Sequence, residues 1–302
     1  MRLKFNTLDV FTQTRFTGNP LAVVHGAGKL SGAAMQAVAR EFNLSETVFV
    51  MKPENPAHTA RLRIFTPNTE LPFAGHPTVG TAILLAEQKY GTDEPREAII
   101  VLEEGVGPVR IGVVIKPGAP TYAQFDAPAV TACAGPMARE AVAGALGLMA
   151  SDIGFANHQV SGFSAGVPFM FIPVRDLETL GRAKMLPMLW EDIDFDGQAI
   201  DSVYFYTKDE DPAGADFRAR MLSENMPGGE DPATGSAVAA FAGVMEKFAG
   251  LSDGRHQLTV HQGIEMGRAS VIRLEVELNG GKLTATRIGG HAVAVMSGKL
   301  EV

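Results

Sequence analysis

Three side chains in this 302-residue chain are of types that take up and return protons at a reacting carbon: Glu46, His76 and Asp231. Glu46 lies at a predicted helix-to-strand turn, Asn43-Leu44-Ser45-Glu46-Thr47. His76 and Asp231 each lie at a proline-containing turn that precedes an almost wholly apolar segment. A carboxylate or an imidazole can remove a proton at one position and return it at another. If the fold brings them together, these residues predict acid/base catalysis.

Two predicted helices must position His76 and Asp231. One begins at Gly75-His76-Pro77, and the other follows Asp231-Pro232 and includes Gly235-Ser236. Both are apolar nearly all round, so both must be buried. A helix N-terminus exposes unpaired N–H groups with partial positive charge, which attract a carboxylate. If the two halves of the chain face each other, both N-termini can point at one interdomain cleft.

The remaining elements of the first half follow from local patterns. Ser31 is a suitable N-cap for a helix over residues 32–42. Residues 60–65 alternate arginine with apolar side chains, the period of a strand, and we expect Arg61 and Arg63 on its solvent face. Further strands are predicted at residues 3–10, 21–24 and 47–51.

The second half of the chain repeats this plan. Three short matches recur in the same order, each separated by about half the chain. They are Gly18-Asn19-Pro20 with Gly166-Val167-Pro168, Arg61-Leu62-Arg63 with Arg218-Ala219-Arg220, and Gly75-His76-Pro77 with Glu230-Asp231-Pro232. We therefore predict two domains, residues 1–127 and 128–284, with the boundary where Ala127-Pro128-Ala129 interrupts the strand pattern.

Composition narrows the class of protein. Hydrophobic residues make up 46% and charged residues 20% of the chain, as in ordinary globular proteins. The net charge of −8 argues against a nucleic-acid partner, although a helix N-terminus can still bind a small carboxylate. Cys133 is the single cysteine, so an intrachain disulfide is impossible and a cytoplasmic location is expected. No apolar run has the length of a membrane span, and no signal peptide is predicted.

Several of these segments, taken in order, resemble the signature segments of the PhzF-like phenazine biosynthesis family. The segments are Asp9-Val10-Phe11, Gly18-Asn19-Pro20, Asn43 to Thr47, Ala74 to Thr78, Gly229 to Ala237, Gln262-Gly263 and Met266-Gly267-Arg268. The resemblance extends over almost the whole chain, which makes it more specific than any one short motif.

The resemblance implies an α+β fold like that of diaminopimelate epimerase. Such a fold has two pseudo-symmetric domains, each a curled, mostly antiparallel sheet wrapped around a central buried helix. It also implies that a C-terminal segment, about residues 285–302, returns to the first domain, and that the protein is a homodimer. Neither a metal nor an organic cofactor is implied.

The best-known activity of the family isomerises a dihydro-hydroxyanthranilate by moving a proton between ring carbons. Carried over to this chain, Glu46 is the main acid/base, and His76 and Asp231 assist proton transfer. Ser45, Gly75, Gly235 and Ser236 are then expected to contact the substrate, a small cyclic or unsaturated carboxylate.

Two alternative functions stay open. An epimerase or racemase of an amino-acid-like acid would use carboxylates and histidine, because a two-thiol mechanism is impossible with Cys133 alone. A binding protein of the same fold would have no need for three proton-transfer groups.

Simpler structural roles are also possible for some of these residues. Asp231 could be a helix N-cap, and Ser236 could satisfy helix N–H groups. Glu230 is expected to be solvated, and Arg218 and Arg220 to lie on a solvent face. Ser164 lies in a Gly-x-Ser-x-Gly pattern, but a strand is predicted after it where a nucleophile elbow requires a helix.

Overall fold

The computed structural model describes residues 1–193, 195, 197, 200–209, 214–224 and 226–302. The chain divides into two compact units. The first contains Met1–Asp126 together with Gly289–Val302, and the second contains Ala127–Ile288. The structure is strand-rich, with 23% of the chain in helices.

The first unit combines eight strands, part of a ninth and two helices. The strands are β1 (Arg2–Val10), β2 (Asn19–His25), β3 (Glu46–Met51), β4 (Ala60–Phe65), β5 (Glu70–Leu71), β6 (Arg96–Glu104), β7 (Gly107–Ile115), β8 (Tyr122–Asp126) and the C-terminal part of β17 (Lys282–Glu301). The helices are α1 (Gly32–Phe42) and α2 (Gly75–Tyr90). Strand β17 pairs antiparallel with β1, from Arg2 opposite Glu301 to Val10 opposite Ala292.

Helix α1 has the bounds that its sequence predicts. Ser31 is the N-cap and accepts a hydrogen bond from the Ala34 backbone N–H at 3.2 Å. Asn43 ends the helix in the left-handed conformation, with φ 49°, which asparagine tolerates better than most residues. Met35, Val38 and Ala39 are buried, at the spacing of one helix face.

Helix α2 packs against six strands of the first unit, β1, β2, β3, β6, β7 and β8. Its small residues permit this close approach. A Cβ atom at Gly80 would lie 2.7 Å from Val10 Cγ2 and 2.8 Å from Leu21 Cδ2. Burial around most of the helix satisfies the expectation from its apolar sequence.

Among its described residues, the second unit contains the other strands and four α-helices. The strands are β9 (Thr131–Met137), β10 (Val160–Ser164), β11 (Pro168–Pro173), β12 (Ser202–Lys208), β13 (Phe217–Ser223), β14 (Glu230–Asp231), β15 (Gly254–Gln262), β16 (Ser270–Asn279) and the start of β17. The helices are α3 (Arg139–Ala143), α4 (Leu177–Arg182), α5 (Pro187–Trp190) and α6 (Gly235–Phe248).

Helix α6 packs against β9, β10, β11 and β16. The Phe241 side chain of α6 lies at the centre of an aromatic cluster. Its ring centroid is 4.8 Å from that of Tyr206 and 5.1 Å from that of Phe217. A Cβ atom at Gly243 would collide with the Phe163 ring, so this position must remain small. Aromatic packing of this kind holds the helix against the sheet.

The two units share one order of strand pairings. Strands β2 and β3 are parallel, as are β11 and β12. Strand β4 pairs antiparallel with β5 and parallel with β6, and β13 pairs in the same way with β14 and β15. Both short strands, β5 and β14, lead into the buried helix of their unit. This order aligns Gly75 with Gly235, and not with Glu230 as the sequence matches suggest.

Arg220 does not lie on the solvent face that the sequence pattern predicts for it. Arg220 is 9% exposed, and its guanidinium donates to the carbonyl oxygens of Leu180, Gly181 and Ala183. It also forms a bidentate ion pair with Glu230 at 2.8–2.9 Å. The expected solvent positions of Arg220 and Glu230 are therefore wrong. The physical reason is that α4 and the residue after it lie against the Arg220 side chain.

The Gly-x-Ser-x-Gly pattern behaves as its context predicts. Ser164 ends β10, which forms an antiparallel hairpin with β11 from Ser164 opposite Pro168. A strand follows the serine where a nucleophile elbow requires a helix. The pattern is therefore a hairpin turn in this chain.

Candidate functional site

Glu46 and His76 form a buried pair in the first unit. Glu46 is the first residue of β3 and is 6% exposed, and His76 is the second residue of α2 and is 4% exposed. Glu46 Oε2 lies 3.3 Å from His76 Nδ1. The same Nδ1 atom lies 3.4 Å from Asn19 Nδ2, at the start of β2. Parallel pairing of β2 and β3, with Leu21 opposite Glu46, brings these strand starts to one edge.

The pair can hold its protons in more than one arrangement. Burial lowers the pKa of His76 to about 3, so the ring is neutral at pH 7. A hydrogen on Nδ1 would be donated to the Glu46 carboxylate, whereas an unprotonated Nδ1 would accept from the Asn19 amide. His76 Nε2 is buried and has no hydrogen-bond partner among the described residues. That nitrogen is therefore available to a bound molecule.

We predict that His76 does not titrate between pH 5 and 8, because burial disfavours the imidazolium ion. The lowered pKa means that stability from the buried neutral ring is present above pH 6.5 and is lost as the pH falls toward about 3. The ring nitrogen shifts in long-range ¹H–¹⁵N NMR spectra, assigned with His76→Gln, measure this directly. Protonation near pH 6.5 would instead show that the Glu46 carboxylate outweighs desolvation.

The N-terminus of α2 adds an anion-binding element to this pair. Its N-cap is Ala74, which offers no capping side chain, and the first helical hydrogen bond runs from the Thr78 N–H to the Ala74 carbonyl oxygen at 3.2 Å. Gly75 and His76, in the first turn, are both buried. The backbone N–H groups of such an end favour a carboxylate.

Asp231 is the centre of a second buried cluster, in the second unit. It is 4% exposed, and its Oδ2 accepts a hydrogen bond from the Thr234 hydroxyl at 2.7 Å. Gln262 Nε2 donates to the Asp231 carbonyl oxygen at 2.8 Å, and its Oε1 accepts from the Thr234 N–H at 3.2 Å. Burial, and then the charge of Asp231, raise the pKa of Tyr204, whose hydroxyl donates to Gln262 at 3.3 Å.

The N-cap of α6 is Thr234, so Asp231 does not occupy that position. The simpler reading of Asp231 as a helix cap is therefore wrong. Its carboxylate is held by the Thr234 hydroxyl, beside a helix start that has no capping side chain from its N-cap residue. Both units thus place a buried acid close to the N-terminus of a buried helix.

Comparison with known proteins identifies the family. Residues 8–298 match the family model described as phenazine biosynthesis-like protein, PhzC-PhzF. The chain belongs to the PhzC-PhzF family. The resemblance predicted from the sequence segments is thereby confirmed.

Two relatives of this PhzC-PhzF chain are named as isomerases. It is 50% identical over 97% of its length to an uncharacterized isomerase of Mesorhizobium japonicum, covering 96% of that protein. It is 32% identical to trans-2,3-dihydro-3-hydroxyanthranilate isomerase of Pseudomonas aeruginosa, covering 98% of both chains. These relationships support an isomerase.

Solved structures agree on the fold. A PhzF-family phenazine biosynthesis protein of Bacillus anthracis superposes with a TM-score of 0.88 at 24% identity, over 100% of both chains. A hydroxyproline epimerase of Agrobacterium vitis superposes with a TM-score of 0.65 at 14% identity. The superposition covers 99% of this chain and 92% of that protein. These two similarities show the fold alone.

The other predicted site residues of this PhzC-PhzF chain lie beside the same two clusters. Ser45 precedes Glu46 and is 8% exposed, and Gly75 begins α2. Gly235 begins α6 and is buried, whereas Ser236 is half-buried. Ser236 is the second residue of α6, the position that His76 occupies in α2.

Asn19 and Gln262 are site residues that sequence reasoning did not assign. Both lie in segments that carry the family resemblance, Gly18-Asn19-Pro20 and Gln262-Gly263. The glycine after Gln262 has φ +74°, and a Cβ there would lie 2.5 Å from the Pro232 carbonyl oxygen. The glycine directly after Gln262 was thus a usable sign that Gln262 is held against the Asp231 turn.

Over the described residues, no three His, Cys, Asp or Glu side chains gather closely enough to hold a metal ion. In the same part of the chain, no helix combines the length and apolar character that crossing a membrane requires.

Proposed function

We propose that this protein is an isomerase that moves a proton between two carbons of a small cyclic or unsaturated carboxylate, using its own side chains. The observation that carries the proposal is the buried Glu46–His76 pair beside the N-terminus of α2. A neutral imidazole and a carboxyl group 3.3 Å apart can share and relay a proton. The nearby helix N-terminus can hold the carboxylate of the substrate.

The proposed reaction is balanced within the substrate. Glu46 removes a proton from one carbon, the electron pair of that C–H bond moves into the conjugated system, and the proton is returned at a second carbon. No electrons leave the substrate, and the atoms of substrate and product are the same. His76 polarises or orients the substrate through Nε2, which has no partner among the described residues.

We extend the proposal to the second cluster. Asp231, held by Thr234 and backed by Gln262, is the second proton-transfer group of the same reaction. Ser45, Gly75, Gly235 and Ser236 are proposed to contact the substrate. The burial of both acids, each close to the start of a buried helix, supports this extension.

The relationship to named enzymes suggests a substrate for the first test. A relative with 32% identity is named trans-2,3-dihydro-3-hydroxyanthranilate isomerase. That compound is a cyclic, unsaturated carboxylate, the class that the helix N-terminus and the proton-transfer pair would accept. The same proposal includes three properties that the sequence leads us to expect: pseudo-symmetric curled sheets, a homodimer and a cytoplasmic location.

Epimerisation of an amino-acid-like acid is the second candidate function. Two separate buried acids, Glu46 and Asp231, favour it, because inverting a carbon centre calls for one group to remove a proton and another to supply one. Isomerisation differs from epimerisation in the carbon that receives the proton.

Deuterium exchange distinguishes the candidates. The protein is incubated in deuterated water with trans-2,3-dihydro-3-hydroxyanthranilate, with cyclic amino acids and with unsaturated carboxylates, and the products are followed by NMR. Deuterium at a new carbon supports isomerisation, and deuterium at an unchanged carbon with loss of optical purity supports epimerisation. Binding detected by saturation transfer without any exchange would contradict both and favour a binding protein.

A further inference from the structure

Glu104 is a buried carboxyl group that the proposed reaction does not use. It is the last residue of β6 and is 8% exposed. Its Oε1 lies 2.8 Å from the hydroxyl oxygen of Thr78, in the first turn of α2. Its Oε2 is buried and has no hydrogen-bond partner among the described residues. A carboxylate ion in this position would carry a largely uncompensated charge.

The hydrogen bonds of Thr78 indicate where a proton lies. The Thr78 hydroxyl oxygen is 2.8 Å from the Ala74 carbonyl oxygen and 2.8 Å from Glu104 Oε1. A hydroxyl group has one hydrogen to donate, so it can satisfy only one of these two oxygens. A proton on Glu104 satisfies the other contact, with Glu104 donating to Thr78 and Thr78 donating to Ala74.

The second unit has an amide in the corresponding position. In the parallel pairings of the two units, Ala60 lies opposite Leu102 and Phe217 lies opposite Val260. Glu104 and Gln262 each lie two residues further along their strand, and each is followed by a glycine. These glycines pack on equivalent prolines, because a Cβ at Gly105 would lie 2.7 Å from Pro72 Cα and one at Gly263 would lie 2.5 Å from the Pro232 oxygen.

The hydrogen bonds of Gln262 show how a residue in this position can hold the start of a helix. Gln262 accepts from the Thr234 N–H, donates to the Thr234 hydroxyl at 2.9 Å and so ties down the start of α6. An amide and a protonated carboxyl group are both neutral, and each combines a donor with an acceptor. We propose that Glu104 is a positioning residue that works in its protonated form, fixing the first turn of α2, and with it His76, through Thr78.

The charged neighbours of Glu104 are paired with other groups. It shares a cavity with Arg61 and Arg63 of β4 and Glu70 of β5. Arg61 pairs with Glu54, and Arg63 forms a bidentate pair with Glu70. The titratable group in the same turn of α2 is His76, which is neutral at pH 7, and the preceding residue Glu103 pairs with His58.

Ionisation of Glu104 would therefore have a cost in the folded state. Burial raises its pKa from 4.5 to about 8, in spite of the hydrogen bond that Thr78 could donate to the ionised carboxylate. Between these pH values the folded protein binds one proton more than the unfolded chain does. The stability contributed by this residue is thus fully present below pH 4.5 and is lost as the pH rises toward about 8.

The test compares Glu104→Gln with Glu97→Gln, which changes an exposed residue of the same strand. Melting temperatures are measured from pH 5 to pH 9. We expect Glu104→Gln to exceed the wild type by a margin that grows with pH, and Glu97→Gln to follow the wild type throughout. A Glu104→Gln protein that melts below the wild type at every pH would overturn the proposal.

A second measurement gives its main result on the wild type alone. In protein labelled with ¹³C at the glutamate carboxyl carbons, one resonance should titrate near pH 8, and it should be missing from Glu104→Gln. Titration of every glutamate resonance below pH 6 would show that Glu104 is ionised at neutral pH and would overturn the proposal, even if the variant failed to fold.

The kinetic consequence rests on the proposed function. Above pH 8 the wild type should lose affinity for its carboxylate substrate as the negative charge of Glu104 develops behind the helix N-terminus, seen as a rise in KM before a fall in kcat. That alkaline loss should be absent in Glu104→Gln. Failure of the proposed isomerase activity would leave the melting and NMR results interpretable, so the two ideas can fail separately.

Discussion

Replacing Glu46 with glutamine is expected to lower the rate of proton transfer by a factor of about 10²–10⁴, the usual contribution of a positioned acid or base. The amide has nearly the same size as the carboxyl group, and it can still contact His76 across the 3.3 Å gap. It cannot accept a proton from carbon. We therefore expect kcat to fall while KM changes little, and deuterium exchange measured by NMR provides both values.

The control for Glu46→Gln is Glu41→Gln. Glu41 lies in α1 and is exposed, so the same chemical change there should leave exchange at the wild-type rate. Circular dichroism and melting temperature establish that both variants are folded. Undiminished exchange in Glu46→Gln would remove this residue from the catalytic role and would shift attention to Asp231, which can be tested in the same way with Asp231→Asn.

Replacing Arg220 with methionine is expected to lower the free energy of unfolding of the second unit by about 3–5 kcal/mol, the cost of leaving one partner of a buried ion pair alone. The side chains of Arg220 and Glu230 are only 11% and 14% exposed. Without the guanidinium, Glu230 keeps a charge in a poorly solvated position, and the carbonyl oxygens of Leu180, Gly181 and Ala183 lose their donor.

The single tryptophan of the chain makes this measurement specific. Trp190 lies in the second unit, 2% exposed, with its ring 4.8 Å from that of Phe195. Its fluorescence during urea unfolding therefore reports on the unit that contains Arg220.

The matched control for Arg220→Met lies in the first unit. Arg63 and Glu70 form the equivalent bidentate pair, but their side chains are 28% and 42% exposed. Water therefore screens the charge that Arg63→Met would leave behind, and its effect should stay within about 1 kcal/mol. Circular dichroism follows this variant, because Trp190 does not report on the first unit. Equal losses in the two variants would show that burial does not control the strength of these pairs.

Local signals in the sequence predicted individual elements well. Ser31 predicted the start of α1, and the structure adds that residues 35, 38 and 39 are buried and that Asn43 ends the helix. The apolar sequences of α2 and α6 predicted their burial. The family resemblance was also readable, because it depended on several long segments in a fixed order, and the match over residues 8–298 confirms it.

Register between distant strands was not readable from the sequence. The short matches aligned Gly75-His76-Pro77 with Glu230-Asp231-Pro232, whereas the strand pairings align the starts of α2 and α6 at Gly75 and Gly235. Shifting the alignment of a weak repeat by a few residues leaves the sequence similarity about the same. It nevertheless changes which side chains of the two units are equivalent. His76 corresponds by position to Ser236, and Asp231 corresponds to Leu71.

The residue types that chemistry requires were thus determined by the sequence alone: carboxylates and an imidazole at turns, two apolar helices and no second thiol. Only the tertiary structure decided that Glu46 and His76 lie 3.3 Å apart, that Arg220 is covered and that Glu104 has the position of Gln262. The physical reason is that burial and ionisation depend on atoms from strands and helices far apart in sequence. The local sequence identifies a titratable group, whereas the packing of the fold determines how far that group is buried and what it contacts.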